Sequence, residues 1–164
     1  MKTNYTIESI NWNKVKQLTK NILDIIEKNN INIDTLVPVI RGGMPLALLL
    51  ASNMKNVNTA SIQIKRSITN ETNAEFGEAK LLGITNIEAI TNKNILITED
   101  TVDHGKTLDC VINEIQKYNP KNIYIATLYN FNKDKYKNII NTEIPKYVLK
   151  QMRTSYLCNI LRQW

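Results

Sequence analysis

Two adjacent acids, a third acid three residues on, then a glycine, a lysine and a threonine fall in one short run, Glu99-Asp100-Thr101-Val102-Asp103-His104-Gly105-Lys106-Thr107. These types at this spacing suit the binding of a phosphorylated sugar. Ionised carboxylates only accept hydrogen bonds, so Glu99 and Asp100 fit neutral sugar hydroxyls or a metal ion and would repel a phosphate. The run Asp103, His104, Gly105, Lys106 and Thr107 fits the phosphate instead, through its backbone N–H groups. Backbone N–H groups of a glycine-containing turn that enters a helix form an anion site; Gly105 permits close approach and Thr107 adds a hydroxyl donor.

The flanking sequence predicts the elements that would hold this run. Asn94-Ile95-Leu96-Ile97-Thr98 is short, β-branched and mostly apolar, as a strand buried on both faces is. Leu108, Val111, Ile112 and Ile115 then repeat with the period of an amphipathic helix. The acids are thereby expected at the carboxyl end of a strand, the edge at which open α/β sheets bind ligands. Gly105-Lys106-Thr107 also resembles the end of a nucleotide-triphosphatase loop, GxxxxGK[ST], but that pattern requires glycine where Asp100 stands. A second candidate oxyanion loop is Arg41-Gly42-Gly43, between the apolar run Leu36 to Ile40 and a predicted helix from Pro45 to Met54. Paired glycines there can turn successive N–H groups outward, and Arg41 adds a charged donor.

Over these residues the chain resembles the type I phosphoribosyltransferases, whose signature is an apolar strand, two acids, two mostly apolar residues and D-[ST]-G-x-T. Thr98 and Thr101 stand at usually apolar positions, and His104 at a usual threonine or serine. The stretch VPVIRGGMPLALLLA (residues 37–51) resembles that family's diphosphate loop, and NYTIESINWNKVKQLTKNIL (4–23) the amino terminus of its bacterial xanthine-guanine members. The resemblance implies an α/β fold, one domain over residues 1–164 with a mostly parallel central sheet flanked by helices, a flexible hood at about 65–90 and a small base-binding segment at about 130–164. It implies transfer of 5-phosphoribose from phosphoribosyl diphosphate (PRPP) to a purine base, with Mg²⁺ as cofactor. Asp103 would be catalytic, Glu99 and Asp100 would hold the ribose and, through water, the metal, residues 103–107 the 5′-phosphate, and Arg41, Gly42 and Gly43 the diphosphate, around a peptide bond that is often cis. Base contacts would come from Phe131, Lys133, Tyr156 and Leu157. Phe131 occupies the place of the lysine that reads a 6-oxopurine's exocyclic oxygen, so another base stays open, and the basic charge leaves open a nucleotide-sensing regulator that binds nucleic acid. A homodimer or homotetramer is implied.

Composition sets outer bounds. A chain of 164 residues is expected to form one domain, and 43% hydrophobic with 22% charged residues is ordinary for a globular protein. No apolar run approaches the roughly 18 residues of a membrane span, and the first residues lack a signal peptide's apolar segment, so a cytoplasmic protein without membrane association is expected. Cys110 and Cys158 are too few for a disulfide framework and read as reduced thiols. The net charge of +6 is spread over dispersed lysines rather than gathered in a block, which fits attraction of small polyanions as well as nucleic acid, and nucleic acid is not expected as a partner.

Along the chain, Tyr5 to Ile10 predicts a weak strand, and Val15, Leu18, Ile22, Ile25 and Ile26 mark a helix face with Asn11 or Asn13 as N-cap. Pro38 within Leu36–Ile40 requires a place near the strand start or one without a ladder partner. Thr59 to Lys65 alternates as a strand, Lys65 to Gly77 is polar enough for a mobile loop, Leu81 to Ile90 suggests a returning hairpin, and Asn122 to Tyr129 a buried strand.

Overall fold

A computed structural model describes residues 11–67, 76–131, 135–136 and 139–141. In chain order these form α1 (Trp12–Lys28), β1 (Thr35–Ile40), α2 (Met44–Ala51), β2 (Asn58–Thr59), β3 (Ser61–Ser67), β4 (Phe76–Thr85), a short 3₁₀ turn (Ile87–Ala89), β5 (Asn94–Val102), α3 (Lys106–Gln116), β6 (Asn122–Asn130) and β7 (Ile139–Asn141). Seven strands make one sheet in the order β4-β3-β1-β5-β6-β7, with β2 also paired to β1. All pairings are parallel except β3 with β4. The fold is therefore α/β with a mostly parallel sheet flanked by helices, as the sequence predicts.

The period-two alternation of the central strands explains why both faces are covered. Leu36, Leu96, Ala126 and Leu128 pack with Val15, Leu18 and Ile22 of α1 and Leu46 and Leu50 of α2. Their neighbours Val37, Val39, Ile95, Ile97 and Ile125 pack on the other face with Leu108, Val111 and Ile115 of α3. A strand buried on both faces needs an apolar residue at nearly every position, and β5 has one from Ile95 to Ile97. α1 begins where Asn11 accepts a bond from the Lys14 N–H (2.9 Å) and ends at Asn29, followed by Asn30 at φ 50°.

Pro38 belongs to a central strand, yet its missing N–H costs no ladder bond. On one side β1 pairs first with β2 at Thr35 and Leu36 and then with β3 at Val39 and Ile40, and Pro38 lies at the break between the two registers. The polar stretch 65–77 is strand at both ends: Lys65 pairs with Lys80 and Ser67 with Phe76, so the ladder, rather than apolar burial, orders Lys65 to Ser67. The expected hood at 65–90 thus includes the antiparallel arm β4 and the 3₁₀ turn, while residues 68–75 lie outside the described region. The weak strand expected at Tyr5 to Ile10 and the segment after Asn141 also lie outside it.

Candidate functional site

β1 and β5 are parallel neighbours, with Pro38 opposite Thr98, so the chain leaves both at the same edge of the sheet. Arg41-Gly42-Gly43 follows β1 directly, and the N–H of Gly43 closes the turn on the Val39 carbonyl (2.8 Å). The Ile40–Arg41 peptide bond is cis, as the family resemblance implies. Thr98 ties this loop to the next strand by donating its hydroxyl to the Gly43 carbonyl (2.9 Å). That bond gives a physical reason for a threonine where the resemblance leads one to expect an apolar side chain.

Both glycines are dictated by close approach. A Cβ on Gly43 would run into the Thr98 carbonyl. A Cβ on Gly42 would lie 2.7 Å from Cγ and Oδ1 of Asp100, so the first loop packs its backbone directly against the second carboxylate of the acid pair.

Strand β5 runs further than its apolar run suggests, to Val102, and Glu99 and Asp100 are strand residues, only 8% and 5% exposed. Their burial comes from neighbours rather than from their own polarity, since the Gly42 turn covers Asp100 and β6 runs alongside β5. Burying charged groups costs free energy unless hydrogen bonds replace water. Glu99 accepts from the Asp100 N–H (3.1 Å), Asp100 accepts from the Thr101 N–H (2.7 Å), and Thr127 of β6 donates to the Asp100 carbonyl (3.2 Å).

Beyond Val102 the chain turns into α3 through Asp103 and His104, both well exposed, whose side chains meet at 2.7 Å. Gly105 is the N-cap with φ 75°, a conformation that L side chains rarely adopt, and it has no side chain to cap the helix. The first intrahelical bond runs from the Asp109 N–H to the Gly105 carbonyl (2.8 Å). The N–H groups of Lys106, Thr107 and Leu108 precede it and have no acceptor one turn back, which is the condition for an anion site. α3 is otherwise held by its apolar face, with Leu108, Val111 and Ile115 buried.

Three residues that sequence reading did not single out complete this region. Lys135 donates to the His104 carbonyl (3.0 Å) and pairs with Asp109 (2.6 Å). The Tyr136 hydroxyl lies 2.9 Å from the Gly105 carbonyl and 2.8 Å from Asp109. Burial, followed by the adjacent Asp109 carboxylate, pushes the Tyr136 phenol well above its ordinary range, so it stays a neutral donor. An acid in the first turn of a helix is an ordinary preference, and nothing in the pattern around Lys135 ties it to a loop thirty residues earlier.

Phe131 stands at the end of β6, 37% exposed, its N–H donating to the Val102 carbonyl (2.8 Å). Lys133, Tyr156 and Leu157, the other expected base contacts, lie outside the described residues. Among the described residues no cluster of three or more His, Cys, Asp or Glu side chains is arranged to hold a metal, and no helix is long and apolar enough to cross a membrane.

Comparison with known proteins follows the same lines. The model of the family described as "Phosphoribosyl transferase domain" matches residues 8–151. The human "Phosphoribosyltransferase domain-containing protein 1" is 26% identical over 122 residues, which span 70% of this chain and 53% of that protein. The "Hypoxanthine-guanine phosphoribosyltransferase" of Pan troglodytes is 38% identical over 52 residues, 32% of this chain and 24% of that protein. The chain thus spans about half the length of the first relative and about a quarter of the second. The crystal structure of a purine phosphoribosyltransferase from Pyrococcus horikoshii superposes with a TM-score of 0.66 over 88% of this chain and 95% of that one, at 21% identity, a likeness of fold.

Proposed function

Because this chain belongs to the phosphoribosyl transferase domain family, we propose that it transfers 5-phosphoribose from PRPP to a free purine, a 6-oxopurine in particular, in purine salvage. The observation that carries this reading is the packing of Gly42 against the Asp100 carboxylate, 2.7 Å from where a Cβ would stand. It brings an oxyanion-type loop and an acid pair to one sheet edge, as one ligand with diphosphate, ribose and phosphate parts requires.

In the reaction, a base nitrogen forms a bond to C1 of the ribose while the C1–O bond breaks and its electron pair leaves on diphosphate. The transition state resembles an oxocarbenium ion. Arg41, Gly42 and Gly43 hold the diphosphate; Asp103, His104, Gly105, Lys106 and Thr107 hold the 5′-phosphate. Glu99 and Asp100 accept from the ribose hydroxyls. Asp103, exposed at the turn, takes the proton from the attacking nitrogen. Fixing both ends of the donor supplies much of the rate, because a small misplacement of reacting atoms is costly.

The donor set suits Mg²⁺ of one kind only. With two carboxylates already accepting backbone N–H groups and no three-ligand cluster among the described residues, Glu99 and Asp100 would hold a hydrated Mg²⁺ through its waters. When bound, the ion neutralises charge that develops on the diphosphate. An oligomer of two or four copies and a cytoplasmic location belong to the same reading.

The test is incubation of PRPP and Mg²⁺ with a panel of free bases. Turnover is expected with hypoxanthine and guanine, poorly discriminated, because Phe131 offers the base oxygen no donor side chain and a site lacking such a bond discriminates weakly. Phe131→Lys is expected to raise 6-oxopurine turnover. Turnover with a pyrimidine and with no purine would overturn the choice of base and leave the family standing.

A further inference from the structure

Three described residues after β6, Phe131, Lys135 and Tyr136, lie against the turn at Val102–Gly105 at three carbonyls in order. The Phe131 N–H donates to Val102 (2.8 Å), the Lys135 ammonium to His104 (3.0 Å), and the Tyr136 hydroxyl lies 2.9 Å from the carbonyl of Gly105. A trans peptide unit is planar, and its C=O and N–H point in opposite directions. A donor fixed on the carbonyl of one residue therefore aims the N–H of the next residue the other way. By that geometry the Phe131 and Lys135 contacts aim the N–H groups of Asp103 and Gly105 away from their donors. The Gly105 carbonyl also accepts the Asp109 N–H (2.8 Å), so that α3 orients the Lys106 N–H, and the single Tyr136 hydroxyl proton, within reach of both Gly105 and Asp109, braces that helix start.

We propose that Lys135 and Tyr136 are positioning residues that hold the Gly105 and Lys106 amides toward the 5′-phosphate, so that the anion site is set from outside by two residues after β6. The inference rests on the phosphoribosyl reading for the identity of the anion. Its geometry does not depend on that reading.

Asp109 is the hinge of the arrangement. It pairs with the Lys135 ammonium at 2.6 Å and lies 2.8 Å from the Tyr136 hydroxyl, and it belongs to the first turn of the same helix whose amides are aimed. The helix start and these two residues are thereby locked to each other. Lys135 also lies 5.4 Å from the centre of the Tyr136 ring, which keeps the two side chains together. Gly105 is the residue that admits the clamp, because a Cβ there would collide with the Tyr136 hydroxyl. Nothing in this arrangement requires either side chain to touch the ligand.

The test uses Tyr136→Phe, which keeps the ring and removes only the hydroxyl, and two probes, ribose 5-phosphate and inorganic diphosphate. Ribose 5-phosphate affinity is expected to fall about tenfold, the scale of one lost hydrogen bond, with diphosphate affinity unchanged. Lys135→Met is expected to act in the same direction and Lys135→Arg to restore most of the wild-type affinity. In the ligand-free protein, NMR order parameters of the Gly105 and Lys106 amides are expected to drop in Tyr136→Phe. Unchanged ribose 5-phosphate binding, or an equal loss for both probes, overturns the positioning role. A wild-type protein that ignores ribose 5-phosphate overturns the phosphoribosyl reading, and unchanged order parameters then overturn the aiming of the amides as well.

Discussion

Gly42 and Gly43 are neighbours in sequence, yet an added methyl meets a different obstacle at each. At Gly42 it meets a carboxylate, the far end of the Asp100 side chain, which can swing aside; at Gly43 it meets the backbone carbonyl of Thr98, which cannot move without disturbing β5. Gly42→Ala is therefore expected to fold normally and to lose about 10- to 100-fold in kcat/KM for PRPP, since a displaced group near the reacting atoms has that scale of effect. Gly43→Ala is expected to lower stability by about 1–3 kcal/mol, the usual range for overpacking. Thermal unfolding and PRPP kinetics on both variants check the pair, and a similar stability loss at both positions would count against the contrast. Asp100 itself is less of a free-standing ligand than its place near a strand end suggests. It is 5% exposed and accepts from the Thr101 N–H, so Asp100→Asn is expected to perturb packing as well as turnover.

The elements that place these residues were largely legible in the sequence, because apolar period reports burial and burial defines most of this fold. Ile95, Leu96 and Ile97 without a polar break mark a strand covered on both sides, and Val15, Leu18 and Ile22 mark a helix with one side covered; the structure has both. What stayed hidden depends on partners distant in sequence. The apolar run of β5 ends at Ile97 and the predicted strand at Thr98, so nothing local reveals that Glu99 to Val102 continue it; they do so because β6 pairs with β5 out to Val102 and Asn130. The contact of Tyr136 with Gly105 spans 31 residues and leaves no periodic trace. Asp34 is a similar case at the opposite edge. Its carboxylate accepts from the Asn94 N–H (2.8 Å), its own N–H donates to the Asn94 carbonyl (2.8 Å), and its carbonyl accepts from Asn58 (2.9 Å), so one loop residue joins the starts of β1, β2 and β5. The backbone bond from Asn94, followed by the smaller helping contacts of Asn32 and Lys93 against some burial cost, holds the Asp34 carboxyl below its ordinary range. A depressed carboxyl stabilises the fold above its unfolded pKa, about 3.9, and that contribution fades as pH falls through the lower folded value. Asp34→Ala is expected to be less stable than wild type by about 1 kcal/mol at neutral pH. The gap should narrow below about pH 4, where protonation removes in wild type what the substitution removes already. Denaturant unfolding at neutral pH and at a series of acidic pH values measures that gap directly.

At the scale of the whole molecule, charge separates two readings of the same fold. A net charge of +6 and a pI near 9.3 attract anions of any size, so the sign alone does not tell a PRPP-using enzyme from a regulator that binds nucleic acid. The two differ in where the charge acts. An enzyme with oxyanion loops at the carboxyl edge of β1 and β5 gathers a small polyanion into one place, and long-range attraction then speeds encounter. Screening shortens that reach, from about 10 Å at 0.1 M salt to about 3 Å at 1 M. We therefore expect kcat/KM for PRPP to fall severalfold as salt rises across that range, while the KM for the uncharged base stays nearly constant. A surface built for RNA or DNA would instead neutralise many phosphates at once, and its affinity would fall by orders of magnitude over a much smaller increase in salt. Added RNA should then compete with PRPP at low salt. Steady-state kinetics at several ionic strengths, with and without a nonspecific RNA, distinguish the cases. A PRPP rate that is indifferent to salt would remove steering as the role of the positive charge, and strong inhibition by RNA at physiological salt would favour the regulator.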